Sequence, residues 1–345
     1  MAGDVDTFMA TMVAPARPVP IEHALALVRE HYGFEPRAAR LTGERDENFR
    51  LMGADGAEYV LKIANPAEHP AETDFQAAAL VHLEKTAPAL PCPRVVRDRS
   101  GGTHVRFVEA GLERTARMLT YLPGRLLGAS ARSRRQRTAC GRLGAHLTLA
   151  LRGFEHPAAH RTIVWDVRHA GHMGRLLADQ PRFPFRPAAE ALLAQLTPRI
   201  ESQLPRLRHQ IVHNDLNPLN VLVDHADGDR VTGVIDFGDM TRTALIADVA
   251  VTAAELIPPD CAGPGEARDS VLDVVGAYHE GVPLLATELA LLGALVAARL
   301  LMTVVIHEWH VQRNPASGHF QPLEEDFMRA RLQIAAALLN EEIRL

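Results

Sequence analysis

The sequence predicts an α+β protein with a bilobal arrangement, in which a small β-rich N-terminal lobe with one internal helix precedes a larger, mostly helical C-terminal lobe. Two observations lead to this prediction. In the N-terminal part, short runs of β-branched and aromatic residues alternate with turn signals. From Pro123 onward, long segments rich in Ala and Leu dominate. The length of 345 residues also suits two domains.

The N-terminal lobe is predicted to span residues 21–121, after a flexible, proline-containing arm at residues 1–20. The segment "IEHALALVREHY" predicts a helix that ends at Gly33, and "PAETDFQAAALVHLEK" predicts the internal helix, with Pro70 at its start. The predicted strands are residues 49–52 and 59–63 around a turn, followed by "LPCPRVV", "HVRFVEA" and "ARMLTYL".

The C-terminal lobe is predicted to span residues 122–345, with the boundary in "YLPG" at residues 121–124. Its predicted helical segments are 126–152, 186–204, 243–257, 267–280, 284–312 and 322–343. Two short strands, "NVLVD" and "VTGVIDF", interrupt them. The basic run "RSRRQR" at residues 132–137 predicts the start of a solvated helix rather than a nucleic-acid contact, because no aromatic residues accompany it.

Composition excludes several classes of protein. Lys plus Arg is 37 and Asp plus Glu is 42, giving a net charge of −5, which disfavours non-specific nucleic-acid binding. The three cysteines, Cys92, Cys140 and Cys261, form no disulfide or zinc pattern. The N-terminus lacks the basic and apolar regions of a signal peptide.

The most membrane-like run, residues 284–306, carries Glu288 and Arg299. Both are costly at the centre of a bilayer, so the run predicts a buried helix of a soluble protein. We therefore expect a cytoplasmic protein with no membrane or nucleic-acid partner. The sequence does not indicate an oligomeric state.

Three short motifs carry chemistry. His213, Asp215 and Asn220 fit the spacing H-x-D-x-x-x-x-N, and Asp236 opens "DFG" in "IDFGD" further on. Upstream, "YVLKI" places Lys62 on a strand after a β-turn-β unit. In this order and spacing the three motifs form the kinase signature set.

Phosphoryl transfer explains why each residue type is needed. The transferred group carries dispersed negative charge, so catalysis consists mainly of positioning and charge neutralisation. Lys62 is predicted to contact the donor phosphates, and the oxygens of Asn220 and Asp236 suit Mg²⁺. Asp215 is predicted to orient the acceptor hydroxyl and accept its proton, while His213 braces the loop.

The motifs "GERDENFRL", "VLKIANPAE", "HNDLNPLNVLV" and "VTGVIDFGDM" resemble the aminoglycoside phosphotransferase and choline kinase superfamily, which has a protein-kinase-like fold. Within it, they are most similar to the hydroxylysine kinase-like phosphotransferases and to kinase domains fused to class III aminotransferases. The segment "GFEHPAAHRTIVWDVRHA" adds to the resemblance, which covers residues 35–345.

The resemblance implies a phosphate loop at residues 43–48, with backbone N–H groups near Asn48 and Phe49 reaching the phosphates. The loop has only one glycine, Gly43, unlike the glycine-rich loop of protein kinases. Taken alone, "GERDEN" has the composition of an ordinary acidic turn.

The helix after Lys62 is expected to supply an acid that holds this lysine. The spacing points to Asp74, with Glu72 as the second candidate and a solvated acid as the alternative. The resemblance further implies that the donor base bonds to backbone groups near Thr120 and Leu122. The donor is expected to be ATP or GTP, and the residues do not distinguish them.

Several further residues are candidates for substrate contacts: Asn217, Asp239, Asp166, Trp165 and Glu308. Each has an alternative role in packing, capping or bracing, and Asp239 is alternatively a ligand of a second Mg²⁺. The motif "IHEWH" that contains Glu308 fails the H-E-x-x-H zinc spacing. Asn214 has no role that the sequence assigns.

Together these features predict a Mg²⁺-dependent small-molecule kinase. It is expected to transfer the γ-phosphate of ATP or GTP to a hydroxyl of an amine-bearing acceptor, such as a hydroxylysine-like amino acid or an amino alcohol. The alternatives are an antibiotic phosphotransferase of the aminoglycoside type and a catalytically silent nucleotide-binding regulatory module.

Overall fold

The structure is a computed structural model that describes residues 18–43, 46–313 and 321–345. The described chain divides into two compact units. The first runs to Pro123 and takes in the tripeptide His156–Ala158, and the second comprises Gly124–Glu155 and Ala159–Leu345.

The first unit is built on an antiparallel sheet. Its helices are α1 (Ile21–Tyr32) and α2 (Pro70–Thr86), and its strands are β1 (Arg37–Leu41), β2 (Glu47–Met52), β3 (Glu58–Ile63), β4 (Val95–Val96), β5 (Val105–Glu109) and β6 (Leu112–Thr120). The strand order is β1-β2-β3-β6-β4, with β5 also paired to β6. Alternate residues of β2 and β3, such as Phe49 and Leu61, are buried against α1.

Each helix of the first unit has one terminus that the sequence predicts. Gly33, which adopts a φ of 80°, ends α1, and α2 begins at Pro70, where His69 caps it by accepting a hydrogen bond from the N–H of Ala71. The sheet differs from expectation in two places. Strand β1 was not anticipated, and of the segment "LPCPRVV" only Val95–Val96 forms a strand.

The second unit is mostly helical. Its helices are α3 (Arg134–Ala150), α4 (Met173–Ala178), α5 (Arg186–Gln203), α6 (Leu245–Glu255), α7 (Pro264–Gly281), α8 (Ala286–Arg313) and α9 (Glu325–Leu338). Short 3₁₀ turns of this unit occur at Leu127–Ala129, Val167–His172 and Leu204–Arg206, and another, Pro157–Ala159, begins in the tripeptide that belongs to the first unit. The predicted basic start of α3 is confirmed, because Ser133 and Gln136 form a capping box there.

Two small sheets of the second unit frame a single loop. They are formed by the strands β7 (Arg125–Leu126), β8 (His209–Val212), β9 (Val221–Val223), β10 (Val231–Val234) and β11 (Thr241–Ala244). Strand β9 lies between β10 and β7, and β8 pairs with β11. The polar segment between β8 and β9 is therefore held by a strand on each side.

Among the described residues, α8 alone is long and apolar enough to cross a membrane. Most of its apolar stretch is buried inside the second unit, as in a core helix. Two charges within its sequence are paired, Glu288 of the first turn with Arg208 and the mid-helix Arg299 with Glu255. The prediction of a buried helix is confirmed.

The α+β class and the division into a β-rich first unit and a larger helical second unit are likewise as predicted.

Candidate active site

The loop between β8 and β9 is fixed by hydrogen bonds at two consecutive residues, His213 and Asn214. Asn214 adopts a φ of 64°, a conformation that Asn tolerates better than most residues, and its N–H donates to Oδ1 of Asp248 at 2.7 Å. The buried ring of His213 accepts a hydrogen bond at Nδ1 from the N–H of Asp215, 3.3 Å away. Burial lowers the pKa of His213 to about 4, so the ring is neutral and braces the loop.

The carboxylate of Asp215 receives three side-chain hydrogen bonds. Asn217 donates to Oδ1 at 2.8 Å, Asn220 donates to Oδ2 at 2.6 Å, and Arg299 donates to Oδ1 at 3.3 Å. Burial and the nearby charge of Asp239 raise the pKa of Asp215, and Arg299 and Asn217 oppose that rise. The acid is thus firmly oriented, with 20% of its side chain exposed.

Asn217 accordingly has a bracing role. Its amide donates to Asp215, and its oxygen accepts from the N–H of Leu219 at 2.7 Å. Both ends of the side chain serve the loop. A substrate contact by Asn217 stays a prediction.

The predicted metal ligands come together through the backbone. The N–H of Ile235 donates to the carbonyl of Asn220 at 2.8 Å, which places the next residue, Asp236, beside it. The side-chain NH₂ of Asn220 is turned towards the carboxylate and carbonyl of Asp215. Its amide oxygen is therefore available to a metal ion, and Asp236 is exposed, with a φ of 59°.

This donor set fits Mg²⁺. Magnesium usually takes one or two carboxylates and completes its shell with water and phosphate oxygens. Within residues 18–43, 46–313 and 321–345, no group of three or more His, Cys, Asp or Glu side chains is arranged to hold a metal ion by itself. Two oxygen donors beside a phosphate-bearing ligand are what a Mg-nucleotide site requires.

Arginines from the segment before α4 hold the loop that contains Asp236. Arg161 donates to the carbonyl of Met240 at 2.9 and 3.0 Å and also to the carbonyl of Gly238. Arg168 donates to the carbonyl of Arg242 at 3.1 Å. Sequence reasoning had marked this segment as family-like without assigning these two residues.

Asp166 has a structural role instead of the predicted substrate contact. Its side chain is 0% exposed, caps the turn Val167–His172 through the N–H of Arg168, and accepts from Thr243. A fully buried carboxylate offers no surface to a substrate. This prediction is corrected in favour of the capping role that the sequence had left open.

Trp165 and Glu308 also have partners within the protein. The indole ring of Trp165 lies under the guanidinium of Arg299, 4.7 Å from its centre. Glu308 accepts from the N–H of Leu323 at 3.2 Å, just before α9. Both side chains are only half-buried, so their contacts with a substrate stay predictions.

In the first unit, Lys62 belongs to a compact charged cluster. Its Nζ lies 3.9 Å from Oδ2 of Asp46, and Nη2 of Arg117 lies 4.0 Å from the same oxygen. Lys62 and Arg117 are cross-strand neighbours on β3 and β6, so their side chains share a face of the sheet. Asp46, from the predicted phosphate loop, is held there by the N–H of Asn65.

The helical phase of α2 favours Glu72 over Asp74 as the acid that holds Lys62. Gln76 accepts a hydrogen bond from Arg117, so this face of α2 is turned towards the sheet. Glu72 lies one turn earlier on the same face. Asp74 is half-exposed and its carboxylate pairs with His156 at 3.2 Å.

The pairing of β2 on both sides argues against the predicted phosphate contacts of Asn48 and Phe49. Asn48 and Phe49 lie in β2 between two paired strands, where backbone N–H groups point to the neighbouring strands. Backbone contacts to a phosphate are therefore not expected from these two residues. The predicted phosphate loop also includes residues 44 and 45, which lie outside the described residues.

The segment predicted to bind the donor base ends β6. The N–H of Thr120 donates to the carbonyl of Arg94 at 2.9 Å, and its hydroxyl accepts from the N–H of Arg94. The carbonyl of Thr120 and the N–H of Leu122 are thus the backbone groups expected to face a base. The prediction of base contacts near Thr120 and Leu122 is thus limited to these two backbone groups.

Arg299, which contacts Asp215, is not among the candidate site residues that the sequence predicts. It stands within the apolar run of α8, where a charge is costly unless it is paired. This cost is the signal in the sequence that points to a buried partner for Arg299. The partners of Arg299, Asp215 and Glu255, come from other parts of the chain.

These parts define a phosphotransferase. Residues 38–282 match the phosphotransferase enzyme family, known as APH, and the chain belongs to this family. It is a small-molecule phosphotransferase.

Relatives and solved structures agree with this placement. Hydroxylysine kinase of Mus musculus is 29% identical over 332 residues, covering 89% of this chain and 87% of that protein.

Solved structures share the fold. A microcompartment-associated aminopropanol kinase has a TM-score of 0.68 at 19% identity and covers 93% of this chain and 95% of its own. An amicoumacin kinase in complex with AMP-PNP, Ca²⁺ and Ami has a TM-score of 0.67 at 14% identity and covers 93% of each chain. The predicted superfamily and its protein-kinase-like fold are confirmed.

Proposed function

We propose that this phosphotransferase transfers the γ-phosphoryl group of ATP or GTP, with Mg²⁺, to a hydroxyl of a small amine-bearing molecule. A hydroxylated amino acid or an amino alcohol is the favoured acceptor. The similarity to hydroxylysine kinase supports this choice, as does the shared fold with an aminopropanol kinase.

The observation that carries the proposal is the environment of Asp215. Its carboxylate is fixed by Asn217, Asn220 and Arg299, yet part of it remains exposed. The charges of Asp239 and Glu255 both act on it and raise its pKa. The carboxylates of Asp215, Asp239 and Glu255 outnumber Arg299, the guanidinium that contacts both Asp215 and Glu255, and an ammonium group on the acceptor would offset the remaining negative charge.

The chemistry follows from these positions. Asp215 accepts the proton of the acceptor hydroxyl as the hydroxyl oxygen bonds to the γ-phosphorus. The bond from that phosphorus to the bridging oxygen breaks, and a nucleoside diphosphate leaves. Lys62 neutralises charge on the donor phosphates, and Glu72 orients Lys62. The Mg²⁺ held by Asn220 and Asp236 would offset charge on the phosphate oxygens.

Backbone groups at the end of β6 suit either adenine or guanine as the donor base. The carbonyl of Thr120 and the N–H of Leu122 offer one acceptor and one donor. Either purine presents a complementary donor and acceptor on its hydrogen-bonding edge.

The test is an acceptor panel with both ATP and GTP, read out by nucleoside diphosphate release. The panel contains 5-hydroxylysine, ethanolamine, choline, homoserine and several aminoglycosides. We expect turnover with an amino acid or amino alcohol. Turnover confined to aminoglycosides would favour the antibiotic-modifying alternative, and release at the background rate with every acceptor would refute the proposed substrate class.

The matched variants are Asp215→Asn and Asp227→Asn. Asp215→Asn removes the proton acceptor and should lower kcat by roughly 10²–10⁴-fold, with nucleotide binding retained. Asp227 is an exposed loop residue of the same unit, and its variant should behave as the wild type. Activity that survives in Asp215→Asn would show that the base is assigned to the wrong residue.

A further inference from the structure

Arg299 is a buried arginine whose four contacts all lie within the second unit. Only 4% of its side chain is exposed. Nε donates to Oε1 of Glu255 at 2.8 Å, Nη1 donates to the carbonyl of Trp165 at 3.1 Å, and Nη2 donates to Oδ1 of Asp215 at 3.3 Å. The face of the guanidinium lies over the Trp165 ring.

These contacts hold the guanidinium in one orientation. Its plane is set by the indole ring beneath it, and two of its three nitrogens are occupied by Glu255 and Trp165. The third nitrogen is therefore aimed at Asp215. A lysine at the same position would offer a single point charge and could not meet three partners in one plane.

Glu255 is suited to anchor this arrangement. Burial alone would raise the pKa of Glu255, but the charges of Arg299, Arg132 and Arg331 hold it below its usual value. Thr303, one turn after Arg299 on α8, also donates to its Oε1 at 3.3 Å. Glu255 is thus a stable anion at the end of α6, next to the guanidinium that it fixes.

The hydrogen bonds at Asp215 distinguish its two oxygens. A carboxylate oxygen has two lone-pair positions. At Oδ1 both are occupied, by Asn217 and Arg299, whereas Oδ2 receives one side-chain donor, Asn220. Oδ2 therefore keeps a lone pair for the acceptor hydroxyl.

We infer that Arg299, held by Glu255, is a positioning residue for phosphoryl transfer, and that it fixes Asp215 so that Oδ2 receives the proton of the acceptor. This inference rests on the proposed function, because it concerns the same carboxylate. Arg299 of α8 thus joins the residues that the motifs identify, which lie in the loop of Asp215, in the loop of Asp236 and, for Lys62, on β3.

The experiment compares Arg299→Ala, Arg299→Lys and Glu255→Gln with wild type, using 5-hydroxylysine and both nucleotides. Misplacement of a reacting group by about 1 Å can cost on the order of 10²-fold in rate, so we expect kcat to fall by about that factor. Nucleotide affinity, measured by direct titration, should remain unchanged, because the side-chain partners of Arg299 are Glu255, Trp165 and Asp215, none of which is assigned to nucleotide binding. Added guanidinium ion at a non-denaturing concentration should restore part of kcat in Arg299→Ala.

The matched control is Arg208→Met. Arg208 forms a comparable ion pair with Glu288, which lies in the first turn of the same helix, with contacts of 2.6 and 2.8 Å. Its loss should lower the melting temperature without lowering kcat per folded molecule, and guanidinium should not change its rate. This control separates positioning of Asp215 from the stability of α8.

The outcomes separate this inference from the proposed function. If wild type shows no transfer to any acceptor, the proposed function fails and the inference fails with it. If wild type is active and Arg299→Ala matches it per folded molecule, or loses nucleotide affinity in proportion to kcat, the inference alone is overturned. Should Arg299→Ala not fold, Glu255→Gln and Arg299→Lys decide the question, since unchanged kcat in both would overturn it.

Discussion

Replacing Asp248 by Asn should stabilise the protein at neutral pH and remove part of its pH dependence. Asp248 lies in α6, is 2% exposed, and accepts the N–H of Asn214. Burial raises the pKa of Asp248 from 3.8 to about 6. The folded state therefore binds this proton more tightly than the unfolded state does.

The sign of the effect follows from that order of pKa values. Below pH 3.8 the carboxyl is protonated in both states and costs nothing. As the pH rises towards about 6 the unfolded chain ionises first, so stability falls, and above that pH the loss is constant. A shift of about two pKa units corresponds to about 3 kcal/mol, at ~1.4 kcal/mol per unit.

The amide of Asn retains an oxygen that accepts the N–H of Asn214 and carries no charge. Asp248→Asn should thus exceed wild type in free energy of unfolding by up to about 3 kcal/mol at pH 7.5, and the difference should shrink as the pH falls below 6. Denaturant unfolding at a series of pH values measures it.

Asp326→Asn serves as control, because that side chain is 91% exposed. An Asp248→Asn variant that is no more stable than wild type at pH 7.5 would refute this reasoning.

Three further perturbations test other parts of the structure. A Cβ at Gly141 would clash with a backbone carbonyl of α7, so Gly141→Ala should cost about 1–3 kcal/mol in denaturant unfolding, whereas Gly144→Ala, whose nearest atom would lie at 3.5 Å, should not; equal stabilities would contradict the packing argument. Glu72→Gln should weaken nucleotide binding about tenfold by loss of a charged contact to the strand lysine, and Asp74→Asn should leave it near wild type; the reverse order would restore the original assignment. Arg161→Met removes charged hydrogen bonds worth about 1.5–3 kcal/mol from the metal loop and should raise the Mg²⁺ concentration needed for half-maximal activity; an unchanged Mg²⁺ dependence would show that the loop holds its shape alone.

The parts of the site that the sequence predicted are those whose spacing is set by a single local structure. His213, Asp215 and Asn220 share one loop, which leads into β9. Asp236 follows β10, the strand that pairs with β9. Because each motif fits within one loop or one hairpin, its order along the chain fixes its geometry. The strongly periodic helices were predictable for the same reason.

Elements that depend on partners elsewhere were not predictable. Strand β1 has no buried residue, so its sequence lacks the alternation that marks a half-buried strand. The short strands β8 and β11 form because they pair with each other across a long stretch of chain. Arg299 was visible as a charge in an apolar run, but nothing in its neighbourhood along the chain identifies Asp215 as its partner.

The choice between Glu72 and Asp74 shows a finer limit. Two residues apart on a helix, they point in directions about 200° apart, since each residue turns the helix by about 100°. Distance along the sequence cannot say which faces the sheet. The contact between Gln76 and Arg117 decides it.

The tripeptide His156–Ala158 has a consequence for synthesis of the chain. It belongs to the first unit although the residues on either side belong to the second, and His156 contacts Asp74 and stacks on Phe75. A growing chain that has been synthesised only as far as Pro123 therefore lacks part of that unit. Residues 124–155 must be added before His156 can pack on α2, which takes a few seconds at about 5–20 residues per second.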